Sequence, residues 1–321
     1  MTDPVPVAVV GAGNMGSNHI RVYDELPGAD LVEVVEPDPD RAANISDQYN
    51  VSVYGHIGEL TLAEAATIAA PNEYHRPIAE ALLEREFDLL VEKPLATSVG
   101  DAQAIVTAAE QAGSILQVGH IERFNPAVEM LSKILDEREI IAIETHRLGP
   151  FNEQLSETNV VFDLMIHDLD VLDNLVGTEP SHIDAVGRRS HSNEIDHAIA
   201  NLRYTNSVLA TVVSSHITHG KIRELVVTTR DAYIKLDYQQ QSITIQKKGV
   251  DHLTSFDGES GYRTEAVTET PLIQTREPLK NELEHFLRCI RTRQTPRVGG
   301  NAGVAVIRRI KSIVEQIDEH S

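Results

Sequence analysis

From Val5 to about Gly119, short apolar runs alternate with longer amphipathic stretches, the rhythm of successive β-α-β units in a parallel sheet. Strand-like runs fall at residues 5–10, 29–36, 51–54, 68–70, 88–91 and 115–118, each pair separated by enough chain for a crossover helix. Residues 65–70 are the least typical, because alanine favours helix and only the spacing and the following Pro71 suggest a strand. A helix over residues 98–112 is better marked, with Thr97 or Ser98 as cap, Ala102, Ile105, Val106 and Ala109 on one face, and Gly113 as stop.

Beyond a helix at 126–135 the texture changes. Runs at 140–147, 198–204, 208–217, 225–229, 233–237 and 242–246 read as strands without regular intervening helices. Thr205-Asn206 and Arg230-Asp231 stand where hairpin turns belong, which predicts an antiparallel meander with one face under helices. Helices at 278–291 and 302–317 close the chain. With 321 residues, past the ~250–300 at which one core stops growing, two domains are expected. They divide as 1–122 and 123–321, with the closing helices free to pack back on the first domain.

Composition narrows the class. Net charge is -21, from 49 acidic against 28 basic residues. That surface repels nucleic acid and anionic membrane and favours a small-molecule substrate. Only eight basic residues are lysines, a pattern that suggests a high-salt cytoplasm, where carboxylate repulsion is screened over ~3 Å at 1 M salt. An acidic mesophile is the other reading. Cys289, the single cysteine, excludes an internal disulfide and a cysteine-rich zinc site, and no His, Asp or Glu cluster has zinc spacing. The start MTDPVPVAVV lacks a basic leader region and no window approaches the ~20 apolar residues of a membrane span, so a cytoplasmic location is expected.

Gly11-Ala12-Gly13-Asn14-Met15-Gly16 follows an apolar strand and opens a helical pattern. The first glycine permits a tight turn, the second a close backbone approach to pyrophosphate, and the third close helix packing. The next strand ends in Glu36, 20 residues after Gly16, where an acid accepts hydrogen bonds from the adenosine ribose and repels a 2′-phosphate. A Rossmann domain binding NAD follows, although Arg41 nearby leaves NADP open and Glu36 also fits an acidic surface loop. The fold class is then α/β: a doubly wound parallel sheet plus a C-terminal α+β domain with a large, mainly antiparallel sheet.

Two further segments carry candidate chemistry. Lys93, in Glu92-Lys93-Pro94, stands at the carboxyl end of a parallel strand, where it can stabilise a developing alkoxide; a solvated surface charge is the alternative. Asp163 and His167 are four apart in an apolar helical run, as an acid/base pair or as a cap with an internal ion pair. His216 and His219, with Lys221 and Arg223, are candidates to meet a nucleotide diphosphate or simply form a polar loop.

With these landmarks in order, together with Ala70-Pro71-Asn72 to His75 and Glu277-Pro278-Leu279, the chain resembles the Gfo/Idh/MocA family of sugar and inositol oxidoreductases over nearly its whole length. The resemblance implies Lys93, Asp163 and His167 as the catalytic trio, with His167 as base, Lys93 polarising the hydroxyl and Asp163 orienting substrate. It implies a cofactor cleft lined by Pro71, Asn72, His75, Glu92 and Lys93 beside the glycine turn with Asn14 and Met15. It also implies a homodimer or homotetramer, and the mechanism so outlined needs no metal because Lys93 and His167 supply the charge and proton steps. Residues 119–127 and 162–170 resemble the branch that oxidises UDP-N-acetylglucosamine to its 3-keto derivative, with Arg123 and Asn125 as substrate contacts; Arg123 also fits a structural charge at a helix start. Many members carry glycines before the catalytic-helix aspartate, where this chain has Thr158-Asn159-Val160-Val161. The alternatives are a dehydrogenase of a free sugar or myo-inositol, and a noncatalytic NAD-binding regulatory protein.

Overall fold

The computed structural model describes residues 3–256 and 259–319. Its chain divides into two compact units, one of residues up to Phe124 with Arg276–Arg309, the other of Asn125–Thr275 with the chain from Ile310.

The first unit holds strands β1 (Val5–Val10), β2 (Ala29–Val35), β3 (Ser52–Tyr54), β4 (Ala65–Ile68), β5 (Asp88–Glu92) and β6 (Leu116–Gly119). They form one sheet in the order β3-β2-β1-β4-β5-β6, and every pair is parallel. Its helices are α1 (Asn14–Glu25), α2 (Pro39–Tyr49), α3 (His75–Leu83), α4 (Val99–Ala112), α7 (Pro278–Thr292) and the start of α8 (Gly300–Glu319). Side-chain alternation along β1 explains the layers. Ala8 and Val10 enter a core with α3, α4 and Val304 and Ile307 of α8, while Val5, Val7 and Val9 enter another with α1 and α7. The doubtful alanine run is a strand: β4 lies between β1 and β5 with all four residues buried, and that central place overrides alanine's helix preference. Helix α4 is capped by Ser98, whose hydroxyl accepts from the Asp101 amide at 3.0 Å, and stops at Gly113 with φ +66°.

The second unit carries α5 (Pro126–Leu135), β7 (Ile140–Leu148), α6 (Ile166–Val176), β8 (Pro180–Arg188), β9 (His197–Tyr204), β10 (Leu209–Ser215), β11 (Ile222–Thr229), β12 (Ala232–Asp237), β13 (Ser242–Phe256) and β14 (Glu259–Glu269). They form an eight-stranded sheet, ordered β14-β13-β12-β11-β7-β10-β9-β8. The sheet is mainly antiparallel, as expected, with one parallel pair: β10 lies parallel to β7, with Val212 beside Thr145. Two strands, β8 and β14, are additions to those read from the sequence, and β13 runs well past residue 246. Ile143, Ala200, Val212, Leu225 and Ile234 are buried on one face, and Val186, Leu209, Ile222 and Tyr233 are exposed on the other.

A buried charge pair ties α6 to this sheet. Arg147 of β7 meets Asp168 through two bonds, Nε to Oδ2 at 2.9 Å and Nη2 to Oδ1 at 3.0 Å, and its guanidinium lies 4.8 Å from the centre of the Tyr238 ring. Both residues are at least 95% buried, so removing either strands the other's charge away from water. Arg147→Met is expected to lower the stability of the folded chain by about 3–5 kcal/mol, read as a fall in the urea midpoint. An unchanged midpoint contradicts the assignment of this pair as the tie.

Candidate functional site

In the first unit the predicted cofactor residues gather at the carboxyl ends of β1, β2, β4 and β5. Gly11 has φ +91°, and a Cβ there would lie 2.8 Å from the Ala69 carbonyl oxygen. A Cβ on Gly16 would lie 1.8 Å from the Gly11 oxygen, so any side chain pushes α1 off the turn. Gly13 differs: a Cβ there meets nothing within 4 Å, which leaves open space before the start of α1. No side chain caps α1 and its first turn holds no acid. Its leading N–H groups and positive dipole end are therefore available to an anion, and the cradle fits a dinucleotide pyrophosphate.

Glu36 is 3% exposed and is held against that turn. Its Oε2 accepts from the Ala12 amide at 2.8 Å, and its Oε1 accepts from the Asp38 amide at 2.9 Å and from Arg41 Nη2 at 3.1 Å. The surface-loop reading of Glu36 is thereby excluded, and Arg41 is engaged by the same carboxylate. His75 is fully buried, with Nδ1 3.0 Å from the Pro94 oxygen and Nε2 2.9 Å from the Ala70 oxygen. Burial lowers its readiness to take a second proton more than the two carbonyls raise it. Its ring joins the loop after β4, which carries exposed Pro71 and Asn72, to the turn after β5.

That turn contains half-buried Lys93 and a cis Lys93-Pro94 peptide. Glu92 beside it is 6% exposed; its Oε1 lies 2.8 Å from His19 Nε2, and its Oε2 accepts from the Lys93 amide at 3.1 Å. Burial pushes the Glu92 carboxyl up, but the hydrogen bond and charge of His19, with the Lys93 amide and ammonium, outweigh it and hold the group below its ordinary range. His19 escaped the sequence reading. The available signal was helical spacing, which puts a polar ring on the buried face of α1 with Gly16, Ile20 and Tyr23.

In the second unit, Asp163 falls in a π-helical turn, Val161–Met165, and His167 lies in the first turn of the regular helix after it. The Ile166 amide reaches the Val161 oxygen, five residues back, so one residue is inserted into the turn. Both side chains are half-buried. Asp163 Oδ2 lies 3.1 Å from Nε2 of His216, which is 2% exposed and follows the end of β10. His216 is therefore a buried partner of Asp163 rather than part of an exposed loop, a contact the sequence did not reveal.

Arg123 and Asn125 have structural partners. Arg123, 9% exposed, donates from Nη2 to the Arg297 oxygen at 3.4 Å. Asn125, 2% exposed, caps α5 by accepting from the Ala127 amide at 3.0 Å and donates to the Tyr238 oxygen at 3.1 Å. A cavity of about 500 Å³ lined by Val106, Leu116, Arg293 and Asn301 lies elsewhere in the first unit and holds none of these residues.

Residues 5–120 match the family described as oxidoreductase family, NAD-binding Rossmann fold, and residues 152–321 match its C-terminal alpha/beta domain. The chain belongs to the Gfo/Idh/MocA oxidoreductase family. Among its relatives is UDP-N-acetylglucosamine 3-dehydrogenase of Acidithiobacillus ferrooxidans, 29% identical over 301 residues that cover 93% of each chain. A solved structure of that enzyme aligns with TM-score 0.88 and 26% identity over 99% of both chains. The NAD-dependent scyllo-inositol 2-dehydrogenase of Bacillus subtilis is 26% identical, over 93% of this chain and 90% of its own. The first domain is thus the family's NAD-binding domain, as the glycine turn and Glu36 imply.

The Glu92 carboxyl gives a pH prediction. Its folded pKa lies below the unfolded value of ~4.3, so the unfolded chain binds more protons in acid. Its stabilisation is complete above ~4.3 and is lost as pH falls through that value toward the folded one. Urea midpoints of Glu92→Gln should therefore fall less between neutral and acid pH than those of the parent chain. Parallel losses contradict it.

Proposed function

We propose that this protein is an NAD-dependent dehydrogenase of a secondary sugar hydroxyl, with C3 of UDP-N-acetylglucosamine as the substrate position. The observation that carries the reading is the Glu92-Lys93-Pro94 turn, fastened by buried partners at the same sheet edge as a glycine cradle fit for pyrophosphate. Near end-to-end similarity to the Acidithiobacillus enzyme supports the choice of substrate.

Gly11, Gly13, Asn14, Met15 and Gly16 would hold the pyrophosphate, Glu36 the adenosine ribose, and Pro71, Asn72 and Lys93 the remainder of the dinucleotide. NAD, when bound, supplies the hydride acceptor. Lys93 donates a hydrogen bond to the reacting hydroxyl and favours its alkoxide character. His167 takes the hydroxyl proton. Asp163 orients the sugar and is itself oriented by His216. In this reading His75 acts on the cofactor loops, because its ring is engaged by their carbonyls.

The second reading, an inositol or free-sugar dehydrogenase, is favoured by the similarity to the Bacillus enzyme. Purified protein with NAD should form NADH with UDP-N-acetylglucosamine and far less with myo-inositol or free hexoses; equal rates overturn the narrower claim. His167→Ala should bind NAD as the parent does and turn over about 10²–10⁴ times more slowly, the usual size of a general-base contribution. Parent-like turnover removes His167 from its role, and NAD binding without turnover by the parent on any sugar favours a regulatory protein.

Two properties of the assembled protein belong to this proposal. Exposed Val186, Leu209, Ile222 and Tyr233 share a sheet face with the charged Glu144, Arg203, Glu224 and Lys235, and a second copy of the chain would cover that face, giving a dimer or tetramer. The charge of -21 calls for a saline cytoplasm. Light scattering and thermal unfolding along a KCl series should show an oligomer and a melting temperature that rises with salt. A monomer, or a melting temperature independent of salt, counts against the corresponding property.

A further inference from the structure

The Glu92 carboxylate is enclosed by three elements of the first unit. His19 from α1 reaches Oε1 at 2.8 Å, the Lys93 amide reaches Oε2 at 3.1 Å, and Gly119 of β6 lies directly against it. A Cβ on Gly119 would come within 3.1 Å of the Glu92 Cα, Cδ and Oε2, so the bare backbone makes room for the carboxylate. His19 is fully buried and Glu92 nearly so. Burying two polar partners brings desolvation losses that well-packed apolar residues would avoid, so stability alone is a poor reason for this pair. Its connectivity is more telling. One partner sits on the helix whose N-terminus opens beside Gly13, and the other is covalently next to Lys93. From the far side of the turn, His75 holds the Pro94 carbonyl.

We propose that His19 is a positioning residue: through the Glu92 carboxylate it locks the Lys93 turn to the pyrophosphate-binding helix, so that the Lys93 ammonium and the bound dinucleotide keep one register. The inference rests on the reading of Lys93 as a residue of the nicotinamide end. Losing His19 leaves the glycine cradle and Glu36 intact, so the adenosine half of the cofactor still binds. What is lost is the fixed placement of the ammonium beside the other half.

Differential lysine labelling tests this without needing turnover. The full chain, His19→Leu and His19→Gln are carbamoylated with cyanate, with and without NAD, and the rate at each of the eight lysines is read by peptide mass spectrometry. With NAD at about ten times its Kd, mass action should slow Lys93 about tenfold in the parent and leave the other lysines unchanged. In His19→Leu the shielding of Lys93 should fall below about twofold with NAD still at about ten times that variant's Kd, while the Kd for ADP-ribose stays within about threefold of the parent's. His19→Gln, whose amide can reach the same carboxylate, should restore the shielding. If His19→Leu does not fold, His19→Asn, too short to reach Glu92, takes its place. Full shielding in the Leu or Asn variant overturns the positioning role and leaves the function standing. So does a Gln variant that fails to restore shielding while ADP-ribose binding is lost in all variants, which marks His19 as merely structural. No shielding in the parent overturns the reading of Lys93 itself.

Discussion

The close approach of Gly16 to the Gly11 carbonyl governs the cofactor half of this protein. A Cβ at position 16 would stand 1.8 Å from that oxygen, so helix α1 can begin where it does only because there is none. Much follows from the placement. The N-terminus of α1 opens beside Gly13, the Ala12 amide meets Glu36, and His19, farther along the same helix, meets Glu92. One steric allowance thus connects the glycine turn, the buried Glu36 and the turn carrying Lys93. The chain of contacts runs through hydrogen bonds whose donors and acceptors are nearly all buried, where a lost partner is most costly.

The second unit uses charge differently. Arg147 and Asp168 neutralise each other inside the protein and fasten α6 to β7. In the sequence Asp168 looks like one more acid in Ile166-His167-Asp168-Leu169-Asp170, yet its carboxylate is fully committed to the fold. Asp163, one residue into chemistry by the same reading, is only half-buried and is met by a histidine. Of two aspartates five apart, one is spent on the fold and the other, in the π turn between Val161 and Met165, is left half-buried beside His216.

The parallel half was legible because each strand is a buried apolar run with its crossover helix beside it; even the alanine strand could be placed from Pro71 and the spacing. The second sheet was legible in its interior and illegible at its borders. The strands that escaped notice, β8 and β14, are its two edges, and edge strands carry polar residues that blur alternation, as Pro180-Ser181-His182 does in β8. The parallel β7–β10 pairing could not be read either, because nothing local distinguishes it from a hairpin neighbour. Lys93, Asp163 and His167 are proposed from motif and spacing. The contacts of His19 and His216 could not be read so, since the partner of each lies 73 and 53 residues away in the sequence. For Arg123 the structural alternative is the one with a visible bond, and Asn125 is seen as the cap of α5.

The central proposal is that hydride leaves C3 of UDP-N-acetylglucosamine for NAD on this chain, and isotope transfer tests it most directly. UDP-N-acetylglucosamine carrying deuterium at C3 is incubated with the protein and NAD, and the reduced cofactor is examined by mass spectrometry and NMR. The account predicts one deuterium on the nicotinamide ring and a 3-keto sugar beside it. Reduced cofactor without deuterium, or no reduction at all, contradicts it.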